Sequence, residues 1–108
     1  MQHLRISSKP TRDGIELMLD GELLFADAQE FMLSIPEKLK NRGANVVFNV
    51  ERLKFIDSSG LGSILYVSQA CGLQNQTVRI SKAAPQIEKL LKRIHKVGTF
   101  EFVEKQQP

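Results

Sequence analysis

Phe55-Ile56-Asp57-Ser58-Ser59-Gly60-Leu61-Gly62-Ser63-Ile64-Leu65 is joined to an apolar run, Val46-Val47-Phe48-Asn49-Val50, by the charged segment Glu51-Arg52-Leu53-Lys54. The apolar run reads as a buried strand and the charged segment as a turn. Downstream, Leu61, Ile64, Leu65, Ser68 and Cys71 recur at helical spacing, which predicts a helix to about Gln74. That helix opens on Asp57-Ser58-Ser59-Gly60. A helix opening leaves backbone N–H groups without partners and carries a partial positive charge. Hydroxyls placed there have two uses: one caps the helix, or one carries a phosphate. The choice between them decides what the chain does.

On the upstream side, Leu4 to Ser8 reads as a short edge strand ended by Lys9-Pro10, and Thr11-Arg12-Asp13-Gly14 is turn chemistry. Ile15, Leu17 and Leu19 alternate over residues 15–20, the pattern of a half-buried strand, so the two segments form an antiparallel hairpin. Gly21 breaks that pattern. A helix is expected from about Ala26 to Arg42, capped by Asp27, with Ala28, Phe31, Met32, Ile35 and Leu39 as its apolar stripe. Pro36 removes a helical hydrogen bond and predicts a kink or two shorter helices. Gly43 ends the unit.

Beyond the central helix, Thr77 to Ser81 reads as a strand, and Ser81 to Pro85 leads into a further helix that Gly98 terminates. Ile87, Leu90, Leu91 and Ile94 form its core face, while Lys89, Lys92, Arg93 and Lys96 form a cationic one. Such a face is most simply solvated, and otherwise is a docking surface for an acidic partner or an anionic membrane. Thr99 to Val103 closes as a last strand, with a polar tail from about residue 104. Strands alternating with helices imply right-handed crossovers and a parallel sheet. The fold class is therefore α/β: a mixed sheet with an antiparallel N-terminal hairpin, the remaining strands largely parallel, and helices packed mainly on one face.

Length and composition narrow the function. The 108 residues, 42% of them hydrophobic, form one domain with a modest core. The single cysteine, Cys71, permits no internal disulfide, and its place on the apolar helix face marks it as a buried thiol. With no signal-peptide pattern, a reducing cytoplasm is expected. No apolar run is long enough to insert in a membrane. A net charge of +3, few aromatics and no tryptophan give no support for direct nucleic-acid binding. An enzyme finds little support either. Ser58 is not in a Gly-x-Ser-x-Gly elbow. Of the two histidines, His3 lies near the terminus, and His95 is placed to meet the last carbonyls of its helix. Neither a metal cluster nor a dinucleotide or phosphate-binding loop is present, so no cofactor and no metal are expected.

Phe55-Ile56-Asp57-Ser58-Ser59-Gly60-Leu61-Gly62 closely resembles the signature of the anti-sigma factor antagonists, the STAS (sulphate transporter and anti-sigma factor antagonist) family. Gly21-Glu22-Leu23, Ser81 to Pro85, and Gly98 with the closing Phe100 to Val103 match in order and spacing. The resemblance covers nearly the whole chain. It implies that Ser58 is a phosphate acceptor, modified by an anti-sigma factor that doubles as a serine kinase and reset by a metal-dependent serine/threonine phosphatase. The unphosphorylated antagonist binds the anti-sigma factor; the phosphorylated one does not. The implied partner surface comprises Asp57, Ser58, Ser59, Gly60, Leu61 and Gly62, with Leu24 and Phe25 beside them. Three departures stand out, one of them Pro36, which interrupts a helix normally continuous in the family. Leu24-Phe25 occupy a place where the family often has an acidic residue; they form either a partner patch or a buried helix entry, and because large apolar side chains are mostly buried, burial is expected there. The chain also carries little of the terminal helix found in many members. The alternative that the resemblance implies is a STAS accessory subunit docked on the cytoplasmic ATPase of a membrane lipid transporter. A related role in a chemoreceptor-like or response-regulator phosphatase pathway is a further option.

Overall fold

The computed structural model describes residues 3–95 and 99–103. Strands β1 (Leu4–Pro10), β2 (Gly14–Leu23), β3 (Asn45–Ile56), β4 (Thr77–Ser81) and β5 (Phe100–Phe102) alternate with helices α1 (Phe25–Leu39), α2 (Ser58–Leu73) and α3 (Pro85–His95) after the opening hairpin. Gly98, Lys96 and the tail from residue 104 lie outside the described residues.

The sheet runs β1-β2-β3-β4-β5, with β1 antiparallel to β2 and every other pair parallel. Each crossover moves one strand in the same direction. Right-handed connections of that kind place all three helices on one face. The covered face is written in two rows across the strands: Ile15, Val46, Val78 and Phe100, then Leu17, Phe48, Ile80 and Phe102. All but the partly buried Phe102 are sealed from solvent, together with Phe31, Ile35, Ile64, Val67, Ile87 and Leu91 from the helices. The opposite face is polar. There, the buried Asn49 donates from Nδ2 to Glu16 Oε2 at 2.8 Å and accepts the Glu51 N–H on Oδ1 at 3.0 Å.

Four local expectations change. Residues 51–54 are strand rather than turn: β3 continues to Ile56, with Leu53 buried and its charged neighbours outward. Charge on a strand half in water costs little, so a charged run does not by itself mean a turn. Gly21 does not end β2. It sits at φ 115° within the strand, where a Cβ would lie 2.3 Å from His3 O. Pro36 does not divide α1 in two, because it falls in the last turn, where only the carbonyl one turn back loses its donor. Asp27 is not the cap of α1. The cap position is Leu24, and Asp27 instead accepts the His3 N–H on Oδ1 at 3.2 Å, tying down the start of β1.

Two further side chains close the fold. Gln76 donates from Nε2 to Leu39 O at 2.6 Å and Gly43 O at 3.0 Å, satisfying one carbonyl at the end of α1 and one in the connection to β3. His95 packs its ring against Phe100 and Phe102, at centroid distances of 5.6 and 5.3 Å, which places it on β5 rather than on its own helix carbonyls. Among the described residues, no helix is long and apolar enough to cross a membrane.

Cys71 is fully buried in α2, and desolvation pushes its thiol up from about 9 to about 11. The folded state therefore holds this proton to higher pH than the unfolded chain does. Stability from this group is present below pH 9 and is lost as pH rises toward 11. At pH 8, iodoacetamide should leave the folded protein unlabelled and label it once urea unfolds it, as read by intact mass. Labelling at equal rates in both states would show the thiol to be accessible.

Candidate functional site

The site exists because β3 is longer than β4. The β3–β4 ladder ends at Asn49 and Ser81, while β3 runs on beside β2 to the pair Leu23–Ile56. Two register shifts along β2–β3 insert extra residues in β3, bending it as it rises. The end of β3 thus reaches the end of β2, and the two following helices begin side by side. The backbone N–H of Asp57 points back to Leu23 O at 3.4 Å.

Asp57 is the N-cap of α2, in extended conformation, with Oδ1 accepting the Gly60 N–H at 2.8 Å. Its other oxygen crosses to α1: Oδ2 accepts the Phe25 N–H at 2.9 Å. The cap residue of α1, Leu24, supplies no side-chain acceptor of its own. One carboxylate therefore serves the openings of two helices that are 32 residues apart in the chain. Both bonds are charge-assisted, and both place negative charge at the positive end of a helix dipole.

Between the two readings of the hydroxyls, the capping role belongs to Asp57. Ser58 is the first residue of α2 and is exposed; Ser59 is half-buried. Gly60 is buried, and a Cβ there would lie 2.2 Å from Leu23 O and 2.7 Å from Ile56 Cγ1, so this glycine lets α2 start against the end of β2. Leu61 packs partly against the core. Gly62 is exposed, and a Cβ added there would meet nothing within 4 Å. Leu24 is half-buried, but Phe25 is 76% exposed, against the expectation that it is buried. Its N–H must face Asp57, and this fixes the start of α1 with the ring outward.

Two features of the site are not evident from the sequence. Phe55, 61% exposed at the end of β3, adds a second solvent-facing aromatic just before the serine loop. In addition, α2 carries no charged residue in its 16 positions, although Ser58, Gly62, Tyr66, Gln69 and Leu73 face solvent. The lack of charge was legible as composition, but only the structure shows which positions face outward. Among the described residues, no group of three or more His, Cys, Asp or Glu side chains is placed to hold a metal ion.

The fold and this loop meet in one family. The family model of the STAS domain matches residues 7–106, and the chain belongs to that family. A STAS-domain containing protein of Pseudomonas aeruginosa is 26% identical over 90 residues, covering 82% of this chain and 88% of the relative. Among solved structures, the anti-sigma factor antagonist SpoIIAA in its unphosphorylated form matches with a TM-score of 0.67 at 20% identity, covering 94% of this chain and 89% of that one. The phosphorylated form of SpoIIAA from Bacillus matches equally, with a TM-score of 0.67 at 19% identity and coverage of 94% and 92%. A murine solute carrier 26 family anion transporter matches with a TM-score of 0.73 at 10% identity, over 97% of this chain but 21% of the transporter. At these identities the structural likenesses describe the fold.

The double cap makes a stability prediction. An asparagine at position 57 keeps one acceptor oxygen and turns an NH2 group toward the other N–H, whereas alanine abandons both. Asp57→Asn should cost about 1–2 kcal/mol and Asp57→Ala about 2–4 kcal/mol, with Ser58→Ala within about 0.5 kcal/mol of wild type. Urea unfolding midpoints check the order. An Asp57→Ala protein as stable as wild type would contradict the double cap.

Proposed function

We propose that this chain is an anti-sigma factor antagonist: in its unphosphorylated form it binds an anti-sigma factor that is also a serine kinase, and phosphorylation of Ser58 ends that binding. The observation that carries this reading is that Ser58 is exposed at the first position of α2 while the neighbouring Asp57 does the capping. The hydroxyl is left open to modification, at a place where the helix tolerates an anion. The kinase transfers the γ-phosphoryl group of ATP to Ser58 Oγ; the hydroxyl proton leaves and ADP is released. A serine/threonine phosphatase restores the hydroxyl by hydrolysis. The antagonist itself is not an enzyme, needs no cofactor, and works in the cytoplasm.

Phosphorylation acts here through the surface. A phosphoserine adds about −1.5 to −2 charge. It would stand beside Asp57 on the edge of an uncharged face formed by Gly62, Tyr66 and Leu73, with Phe25 following the end of β2 and Phe55 near the end of β3. A partner that covers such a face must desolvate the dianion. Loss of only ~1.4 kcal/mol of binding is already tenfold in affinity.

The same apolar, uncharged surface supports a second reading, a STAS accessory subunit held permanently on the ATPase of a membrane lipid transporter. Wild type, Ser58→Ala and Ser58→Asp used as baits in native-cell lysate separate the two. The switch predicts recovery of a kinase-type anti-sigma factor by wild type and Ser58→Ala, with at least about tenfold less on Ser58→Asp. Equal recovery of a transporter ATPase by all three would contradict the switch and support the second reading.

A further inference from the structure

We propose that Asp57 relays the state of Ser58 to the start of α1, so that a phosphoryl group on Ser58 releases the Phe25 N–H and changes how the Phe25 ring is presented. This inference rests on Ser58 being the phosphate acceptor and concerns what the modification does inside the molecule.

The N–H groups of Ser58, Ser59 and Gly60 have no intrahelical acceptor at the opening of α2; that of Leu61 is already bonded to Asp57 O at 2.9 Å. Asp57 Oδ1 holds the Gly60 N–H at 2.8 Å. A phosphoryl group on Ser58 Oγ brings three strong acceptor oxygens to the same small set of donors. No charged residue lies within α2 to offset the added dianion. Two anions then compete for one helix opening, and the dianion has the stronger claim.

The two bonds of the carboxylate are coupled. Its two oxygens belong to one rigid planar group, one bonded to α2 and the other to the Phe25 N–H at 2.9 Å. A rotation that frees Gly60 also moves Oδ2 away from Phe25. The cap residue Leu24 supplies no side-chain acceptor to replace it. Phe25 is 76% exposed, so little packing holds its ring in place once that bond is lost. From Asp27 onward α1 is secured independently, because the Asp27 and Ala28 N–H groups both bond Leu24 O, at 2.9 and 3.0 Å. The response is therefore confined to the first residues of α1. A partner would meet both a new charge at Ser58 and an altered aromatic contact at Phe25, and Asp57 is the positioning residue that joins them.

The test uses the 15N-labelled chain of residues 1–108 with phosphoserine installed at position 58 during translation, compared with the unmodified chain, Ser58→Ala and Ser58→Glu. The expected result is an upfield shift of the Phe25 amide proton and exchange at least about tenfold faster in the phosphoprotein. Ser58→Glu should give a smaller effect of the same sign, and Ser58→Ala none. A phosphoprotein whose Ser59 to Leu61 amides respond while Phe25 does not would overturn the relay and leave the switch intact. Acceleration that extends to Val46 and Ile80 would overturn it too, because the fold itself would then have loosened. Failure of the underlying switch is read separately, in the three-bait comparison.

Discussion

A single carboxylate, that of Asp57, holds the openings of α1 and α2 together. Each helix begins with N–H groups that have nothing to bond within the helix, and the cap position of α1 is a leucine that cannot help. Sharing one acceptor between both helices fixes the geometry of the loop more tightly than two separate caps would. It also leaves the adjacent serine without a structural duty. In this chain the free hydroxyl of Ser58 and the rigid base beneath it have the same cause.

That arrangement depends on the sheet. Only because β3 outruns β4 and stays paired with β2 does Ile56 arrive beside Leu23, bringing Asp57 within reach of Phe25. Gly21 permits the backbone path that keeps β2 and β1 joined at this end, and Gly60 permits α2 to start against Leu23. Both glycines serve the fold by letting main chains approach each other. Gly62 differs, since the chain itself gives no steric reason for it. An unexplained glycine on an exposed, charge-free helix face is compatible with close approach from outside.

Much of the fold was legible because its signals are local and redundant. The order of strands and helices, the parallel crossovers, the buried Cys71 and the strand at Thr77 to Ser81 all follow from periodicity and turn chemistry. Three of the departures share a cause: each involves a contact made by residues far apart in the chain. Asp27 has the composition of a cap, but its carboxylate is used by His3. Glu51 to Lys54 looks like a turn, but β2 pairs along it. Phe25 looks like a core residue, but its N–H is claimed by Asp57 and its ring faces out. For the site itself, the motif located Asp57 and Ser58, while the division of labour between them required the three-dimensional partners of the carboxylate.

If Ser58 is a phosphorylated switch, phosphopeptide mapping of the protein isolated from its native cells reads it directly. Trypsin cleaves after Lys54 and Arg79 and releases residues 55–79 as one peptide that contains the whole loop. The switch requires a single phosphoryl group on that peptide, located at Ser58, with an occupancy that changes with growth conditions. A peptide that is unmodified under all conditions, or that carries phosphate only on Ser59 or Ser63, would contradict it.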